Sequence, residues 1–181
     1  MTAIPTPLSM PPDDAGVSSP IDAIVSPLEY QRRLNAVRRA LAQSDLAGLL
    51  VYGDDRCGLN ISYFCEFQSL GNTSTQTLLL LDADGKPILF VPKEHLGYAT
   101  SVTTFEVCDL KNLEARLHIF TMMHRDGRVG MAGMAYAPLT LLERIKHGLG
   151  GAPITKFRAF MLMRLFVFWQ RHVYGHNGMN M

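Results

Sequence analysis

Apolar positions along the chain change their spacing several times, and each spacing predicts one kind of element. In residues 30–41 they recur at intervals of four, three and four, which predicts a helix with one buried stripe. Ser26, Pro27 and Glu29 provide the N-cap, the first-turn proline and the acidic third residue of a capping box. We therefore predict a helix from residue 27 to about residue 44, whose arginines form a solvated face. The stripe consists of Tyr30, Leu34, Val37 and Leu41, and the arginines are Arg32, Arg33, Arg38 and Arg39.

The next pattern is a continuous apolar run, Leu49 to Tyr52, between Gly48 and Gly53. A strand that does not alternate is typical of a sheet covered on both faces, so we predict that this is the central strand. Such strands usually carry function at their carboxyl ends. A turn-rich stretch at 53–58 and an aromatic-rich segment at 60–67 follow it directly.

The rest of the pattern alternates between strands and helices. Residues 77–81 and 87–91 are apolar runs on either side of a turn rich in Asp and Gly, which predicts an antiparallel hairpin. The other predicted elements are a helix at 95–102, a strand at 104–108, a helix with Leu113, Leu117 and Phe120 inward, a strand at 128–134, and a helix from Pro138 with Leu141, Leu142, Ile145 and Leu149 inward. The predicted fold class is α/β, with a mixed β-sheet flanked by helices.

The two ends of the chain depart from this pattern. Residues 1–25 contain five prolines and little periodicity, which predicts a disordered leader and not a secretory signal, so cytoplasmic residence is expected. Residues 157–181 form an apolar, basic tail without Asp or Glu. Its apolar run is interrupted by Arg164 and is shorter than the roughly 20 residues that cross a bilayer, so no membrane span is predicted. The ordered domain is predicted to be 26–156.

Composition narrows the possible functions. A net charge of +1 and a charged fraction of 18% provide no basic field for nucleic acid. The three cysteines fit no zinc spacing, and the six histidines form no clustered pair, which disfavours a metal site made by the chain itself. Buried, reduced thiols are the expected state of the cysteines.

The segment Asn60-Ile61-Ser62-Tyr63-Phe64-Cys65-Glu66-Phe67 carries the one specific resemblance. In its place after an amphipathic helix and an apolar strand, it resembles the amino-terminal domain of creatinases, prolidases and Xaa-Pro aminopeptidases over 27–154. The resemblance implies a ribonuclease H-like α/β domain that precedes a catalytic domain of the pita-bread fold. It also places the family's dinuclear divalent metal site, built from two Asp, one His and two Glu, in that second domain, whereas this chain has no carboxylate after Glu143.

The resemblance thus implies a non-catalytic domain without a cofactor of its own, the truncated product of such a metallohydrolase. In whole relatives this domain serves dimerisation and covers the active site, so the implied partner is a second copy or a catalytic domain. Some creatinase-like members reach the partner's active site with an aromatic and an arginine from the segment after the motif. The matching residues 68–75 contain no arginine, and Glu66 replaces a common glycine. The substrate-side candidates are Gln68, Asn72 and Ser74, and the motif residues are Asn60, Ile61, Tyr63 and Phe67. Asn60 is expected to cap or turn the chain, and the aromatic residues of the motif are expected to lie in the core.

Other functions stay open at this point. Asp54 and Asp55 could bind a metal at the end of the central strand, although turn aspartates more often accept local backbone hydrogen bonds. Cys57 or Cys65 could be a nucleophile beside a histidine, although a free cysteine is more often a small core residue. The histidines to consider are His95, His118 and His124. The chain could thus be a small stand-alone ligand-binding protein or hydrolase that uses loops 53–60 and 68–75, or a protein held at a membrane surface by its tail.

Overall fold

A computed structural model describes residues 25–54, 59–68, 75–125 and 127–156, and these form a single six-stranded sheet with helices on both faces. The predicted leader and tail lie outside the described residues, except that residue 25 is included. The helices are α1 (Pro27–Gln43), α2 (Leu59–Ser62), α3 (Leu96–Val102), α4 (Leu113–Met123) and α5 (Leu139–Gly148). The strands are β1 (Leu46–Gly53), β2 (Thr77–Asp82), β3 (Ile88–Val91), β4 (Glu106–Asp109), β5 (Arg128–Ala132) and β6 (Ile154–Lys156). Short 3-10 turns at Lys93–His95 and Leu110–Asn112 lead into α3 and α4.

The sheet is mixed, and its order is β4-β3-β2-β1-β5-β6. β1 pairs antiparallel with β2 and parallel with β5, so the predicted central strand is indeed in the interior of the sheet. β2 and β3 pair antiparallel, as the short turn between them requires, and this confirms the predicted hairpin. The predicted fold class, a mixed sheet flanked by helices, is confirmed.

Each face of the sheet has its own hydrophobic core. The first core joins Leu49 and Val51 of β1 to apolar residues of α1, the α2 segment and α3. The second joins Leu50 and Tyr52 to α4 and α5. Because successive side chains of a strand point to opposite faces, a strand without polar residues is needed where both faces are covered. This explains why β1 is buried along nearly its whole length.

The first helix begins as predicted but differs in the use of its charged residues. Ser26 accepts a hydrogen bond from the backbone N–H of Glu29 (3.3 Å), which is one half of a capping box. The Glu29 carboxylate bonds to Arg32 and Arg33 rather than completing the box. The prediction that the arginines of α1 form a solvated face is wrong for Arg33, which is only 3% exposed. Its long side chain is held between α1 and the motif segment by contacts described below.

Two short elements were not predicted from the sequence. α2 is a single turn within the motif segment, and β6 has three residues paired parallel with β5. Elements of this length leave too few residues for a period to be recognised. β6 matters for the architecture, because it extends the sheet beyond β5 and directs the chain toward the carboxyl end of the parallel strands.

Candidate functional site at the carboxyl end of the central strand

The fold itself marks one place where a ligand would be expected. β1 and β5 are parallel neighbours, but the chain leaves β1 toward α2 on one face and leaves β5 toward α5 on the other. Such switch points between adjacent parallel strands form the binding crevices of open α/β sheets. The residues that follow β1 and β5 are therefore the candidates for a ligand-binding site.

Asp54 follows β1 directly and is buried, with 4% of its surface exposed. The hydroxyl of Tyr52, two residues earlier, donates to Asp54 Oδ2 over 3.1 Å. Asp54 is thus part of the buried polar structure at the end of the strand. Asp55 lies outside the described residues. Within the described residues, no group of three or more His, Cys, Asp or Glu side chains is arranged to hold a metal.

The gap between the ends of β1 and β5 is filled by groups of the chain itself. Asn60 of the motif donates from Nδ2 to the carbonyl of Tyr52 (3.2 Å) and so fastens α2 to β1. Gly133 follows β5 with a positive φ of 77°. A Cβ at this position would lie 3.0 Å from the Tyr52 carbonyl oxygen and 3.4 Å from Asn60 Nδ2, so only glycine allows this close approach. The interpretation of Asn60 as a residue that shapes the chain is supported by this contact.

The apolar residues of the motif belong to the core, as predicted. Ile61, Tyr63, Phe64 and Phe67 are at most 7% exposed. The rings of Tyr63 and Phe64 meet edge to face with 5.0 Å between their centroids, and Phe67 packs on Tyr98 of α3 at 5.5 Å. The motif therefore anchors residues 61–67 in the first core.

Arg33 is the main residue that sequence reasoning missed. Its Nη1 donates to the carbonyl of Tyr63 (2.8 Å), and its guanidinium carbon lies 4.4 Å from the centre of the Tyr63 ring. Its Nε donates to Glu29 Oε1 (3.0 Å), and Arg32 binds the same carboxylate. The spacing of four residues between Glu29 and Arg33 was a visible signal of their pairing. The burial of Arg33 under the motif depends on tertiary packing, so no pattern in the neighbouring sequence could have predicted it.

The electrostatics of this cluster follow from these contacts. Hydrogen bonding by Arg32, opposed in part by burial and assisted by Arg33, lowers the pKa of Glu29 to about 2. Burial raises the pKa of Tyr63, and its hydroxyl has no hydrogen-bond partner among the described residues. The cluster thus holds Glu29 ionised and Tyr63 neutral near pH 7, an arrangement that anchors the motif to α1.

The two described cysteines have the character of core residues. Burial raises the pKa of Cys65 to about 11, and its thiol donates to the carbonyl of Ile61 (3.7 Å). Burial also raises the pKa of Cys108, which touches Arg116. A raised pKa disfavours the thiolate that a nucleophile requires. The prediction of buried thiols is confirmed for these two residues, while Cys57 lies outside the described part of the chain.

The histidines do not join these thiols. His124 Nε2 lies 3.1 Å from Asp82 Oδ2, and its ring packs on Phe120 of the second core, whereas Cys65 belongs to the first core. His118 is exposed on α4, and His95 is half-buried before α3. The structure therefore brings together no cysteine–histidine pair among the residues it describes.

The substrate-side candidates are only partly visible. Gln68 is exposed, directly after the buried Phe67, whereas Asn72 and Ser74 lie outside the described residues. On the other side of this gap, Thr75 is only 5% exposed. The hydroxyl of Thr77 donates to the carbonyl of Gly53 (2.8 Å). Phe67 and Thr75, which lie on either side of 69–74, are thus both buried.

Comparisons with known proteins agree with this fold. The family model of the Creatinase/Prolidase N-terminal domain matches residues 33–165. A proline dipeptidase structure from Streptococcus pneumoniae is 23% identical, with a TM-score of 0.59, over 74% of this chain and 97% of that chain. The Creatinase/Prolidase N-terminal domain of an X-Pro dipeptidase from Streptococcus pyogenes is 14% identical, with a TM-score of 0.57, over 73% and 98%.

A third structure is longer than the region that aligns. The X-Pro aminopeptidase of Thermotoga maritima is 15% identical, with a TM-score of 0.58, over 73% of this chain but only 35% of that chain. None of the curated proteins matches the sequence. At these identities the solved structures establish the fold, and the family model establishes membership. The chain belongs to the Creatinase/Prolidase N-terminal domain family.

Proposed function

We propose that this chain acts as a non-catalytic N-terminal domain of a creatinase or Xaa-Pro aminopeptidase-like metallohydrolase, and that it pairs with a partner and covers an active site. The observation that carries the proposal is the extent of the structural matches. The chain covers 98% of an isolated N-terminal domain but 35% of an X-Pro aminopeptidase chain. The chain therefore corresponds to the N-terminal domain of such an enzyme. Cytoplasmic residence belongs to the same proposal.

The use of the acidic side chains supports a structural role. In the part of the chain that the structure describes, several carboxylates pair with side chains of the protein itself. These contacts are Glu29 with Arg32 and Arg33, Asp54 with Tyr52, Asp82 with His124, Glu106 with Arg116, and Glu114 with Arg144. Metal-assisted hydrolysis needs carboxylates and imidazoles that converge on an ion. Three of these carboxylates, Asp82, Glu106 and Glu114, instead join different elements of the fold.

The covering role concerns the segment that follows the motif. Phe67 and Thr75 are buried on either side of residues 69–74, and Gln68 is exposed between the motif and that segment. Connecting segments on a rigid scaffold are frequent sites of binding residues. We assign this role to Gln68, Asn72 and Ser74, and the partner is a second copy or a catalytic domain.

The first test is the purified full chain. We expect elemental analysis to find no stoichiometric divalent metal, and we expect no cleavage of Xaa-Pro peptides with manganese or cobalt added. One bound metal per chain, lost in Asp54→Asn or Asp55→Asn, would contradict the proposal. It would favour the second candidate, a stand-alone ligand-binding protein or hydrolase that uses loops 53–60 and 68–75, for which the switch point between β1 and β5 is the supporting feature.

A second test measures the covering role directly. The chain is added to the catalytic domain of an X-Pro aminopeptidase that lacks its own N-terminal domain, and the Xaa-Pro rate is followed. We expect the rate to rise with added chain, and Gln68→Ala to weaken the rise. Gln31→Ala is the matched control, because Gln31 is also exposed but lies on α1. No rise at any concentration, or equal effects of the two substitutions, would refute the role given to Gln68.

A further inference from the structure

An apolar surface remains uncovered directly after β5. Tyr136 is 64% exposed and Leu139 is 69% exposed, although both are large apolar side chains. Two turn hydrogen bonds, from Tyr136 N to Gly133 O (3.0 Å) and from Ala137 N to Met134 O (3.3 Å), keep this stretch close to the end of β5. Met134 is half-buried and packs on the second core. We call Met134, Tyr136 and Leu139 the β5–α5 patch.

The described part of the chain ends beside this patch. β6 pairs parallel with β5, with Lys156 opposite Met131, so the two strands run to the same edge of the sheet. β5 ends one residue after Met131, and the patch follows from there. β6 therefore ends at the edge of the sheet where the patch lies. At about 3.3 Å per extended residue, four residues span about 13 Å, which is more than the roughly 5 Å between neighbouring strands.

The segment that begins at residue 157 has the composition to cover such a surface. Residues 157–165 contain six large apolar side chains and no acidic one. They are Phe157, Phe160, Met161, Leu162, Met163 and Leu165. The range matched by the family model also extends to residue 165, beyond the last described strand. An apolar surface and an apolar segment that begins at the same edge of the sheet gain free energy by mutual burial.

We propose that residues 157–165 fold back from β6 and cover the β5–α5 patch of their own chain. The contact closes the second core at its open end, since Met134, Leu142 and Ile154 already belong to the half-buried margin of that core. The proposal commits to this intramolecular occupant. A second copy of the chain or a separate catalytic domain would use the same surface only if the segment were elsewhere.

The test uses tryptophan fluorescence in the full chain, which has a single tryptophan, Trp169. The reporter is the Phe160→Trp, Trp169→Phe double variant, which places the only indole in the covering segment. We expect a blue-shifted emission that acrylamide quenches weakly, unchanged on hundredfold dilution. Adding Leu139→Asp should shift the emission to the red and raise the quenching constant several-fold. Met122→Asp is the matched control, because Met122 is 65% exposed and lies on α4 near the opposite end of the sheet.

Three outcomes would overturn the proposal. The first is a red, freely quenched emission in the reporter itself, and the second is equal effects of Leu139→Asp and Met122→Asp. The third is protection that disappears on dilution, which would assign the patch to a second copy. Circular dichroism establishes that each variant is folded, and Leu139→Asn serves as a milder substitution should the aspartate prevent folding. With Leu139→Asn, an unchanged quenching constant would count against the proposal.

Discussion

Two neighbouring arginines bind the same carboxylate from different environments, and this allows a sharp test of the α1–motif contact. Arg32 and Arg33 both bond to Glu29, but their side chains are 51% and 3% exposed. We consider replacing each arginine by methionine, which retains most of the methylene volume and removes the charge. We expect Arg33→Met to lower the free energy of unfolding clearly more than Arg32→Met.

The magnitude follows from the contacts that are lost. Arg33→Met leaves the buried carbonyl of Tyr63 without this donor, which costs about 1–3 kcal/mol. It also removes the contact with the Tyr63 ring, worth about 0.5–2 kcal/mol. In the opposite direction, a guanidinium no longer has to be dehydrated, and Glu29 keeps Arg32, so no isolated buried charge remains. The expected net loss is about 2 kcal/mol, against at most about 1 kcal/mol for the exposed pair of Arg32.

Urea unfolding of the full chain, followed by circular dichroism, measures the difference. With a slope of about 2 kcal/mol per molar urea, the midpoint should fall by about 1 M for Arg33→Met and by no more than about 0.5 M for Arg32→Met. Arg33→Lys should recover only part of the loss, because an ammonium keeps the charge but not the planar fork. Equal shifts for the two methionine variants, or a stabilised Arg33→Met, would refute the account of the buried arginine.

Other predictions concern the remaining features of the same region. The lowered pKa of Glu29 gives stability that is complete above about pH 4.5 and is lost as the pH falls toward about 2, so Glu29→Gln should flatten acid unfolding in that window. Gly133→Ala should cost about 1–3 kcal/mol in thermal or urea unfolding, more than Gly150→Ala, because both have positive φ but only Gly133 lies against the Tyr52 carbonyl. Phe64→Ala should cost about 3–5 kcal/mol in the same assay, since this ring is fully buried; a loss below about 1 kcal/mol would show that the motif is not a core anchor.

The sequence predicted most of the fold because its signals were local. The continuous run at residues 49–52 required a strand with both faces covered, and the spacing of Leu113, Leu117 and Phe120 required a helix with one buried stripe. The capping signal at Ser26 placed the start of α1 at the correct residue. Three-residue β6 offered no period to detect, so it was missed.

The candidate site was less predictable, because its contacts join distant parts of the chain. The motif residues were recognised as core from their aromatic and apolar character, and this was correct. The bond from Asn60 to the Tyr52 carbonyl, and the approach of Gly133 to both, depend on how β1, α2 and the turn after β5 meet after folding. Arg33 shows the limit most clearly, since propensity and charge favour an exposed arginine and only tertiary packing buries it.

The position of β1 in the sheet also has a consequence for the order in which the protein is assembled on the ribosome. β1 to β4 are consecutive in sequence and adjacent in space, so they can pair as soon as the chain has been synthesised through Asp109. The other edge of β1 can pair only after β5 has been synthesised, because Leu49 pairs with Gly130. A pairing between residues so far apart in sequence forms slowly. Until β5 has been synthesised, the buried strand β1 keeps an open hydrogen-bonding edge. We therefore expect nascent chains that end before residue 128 to be the form most prone to aggregate and most dependent on chaperones.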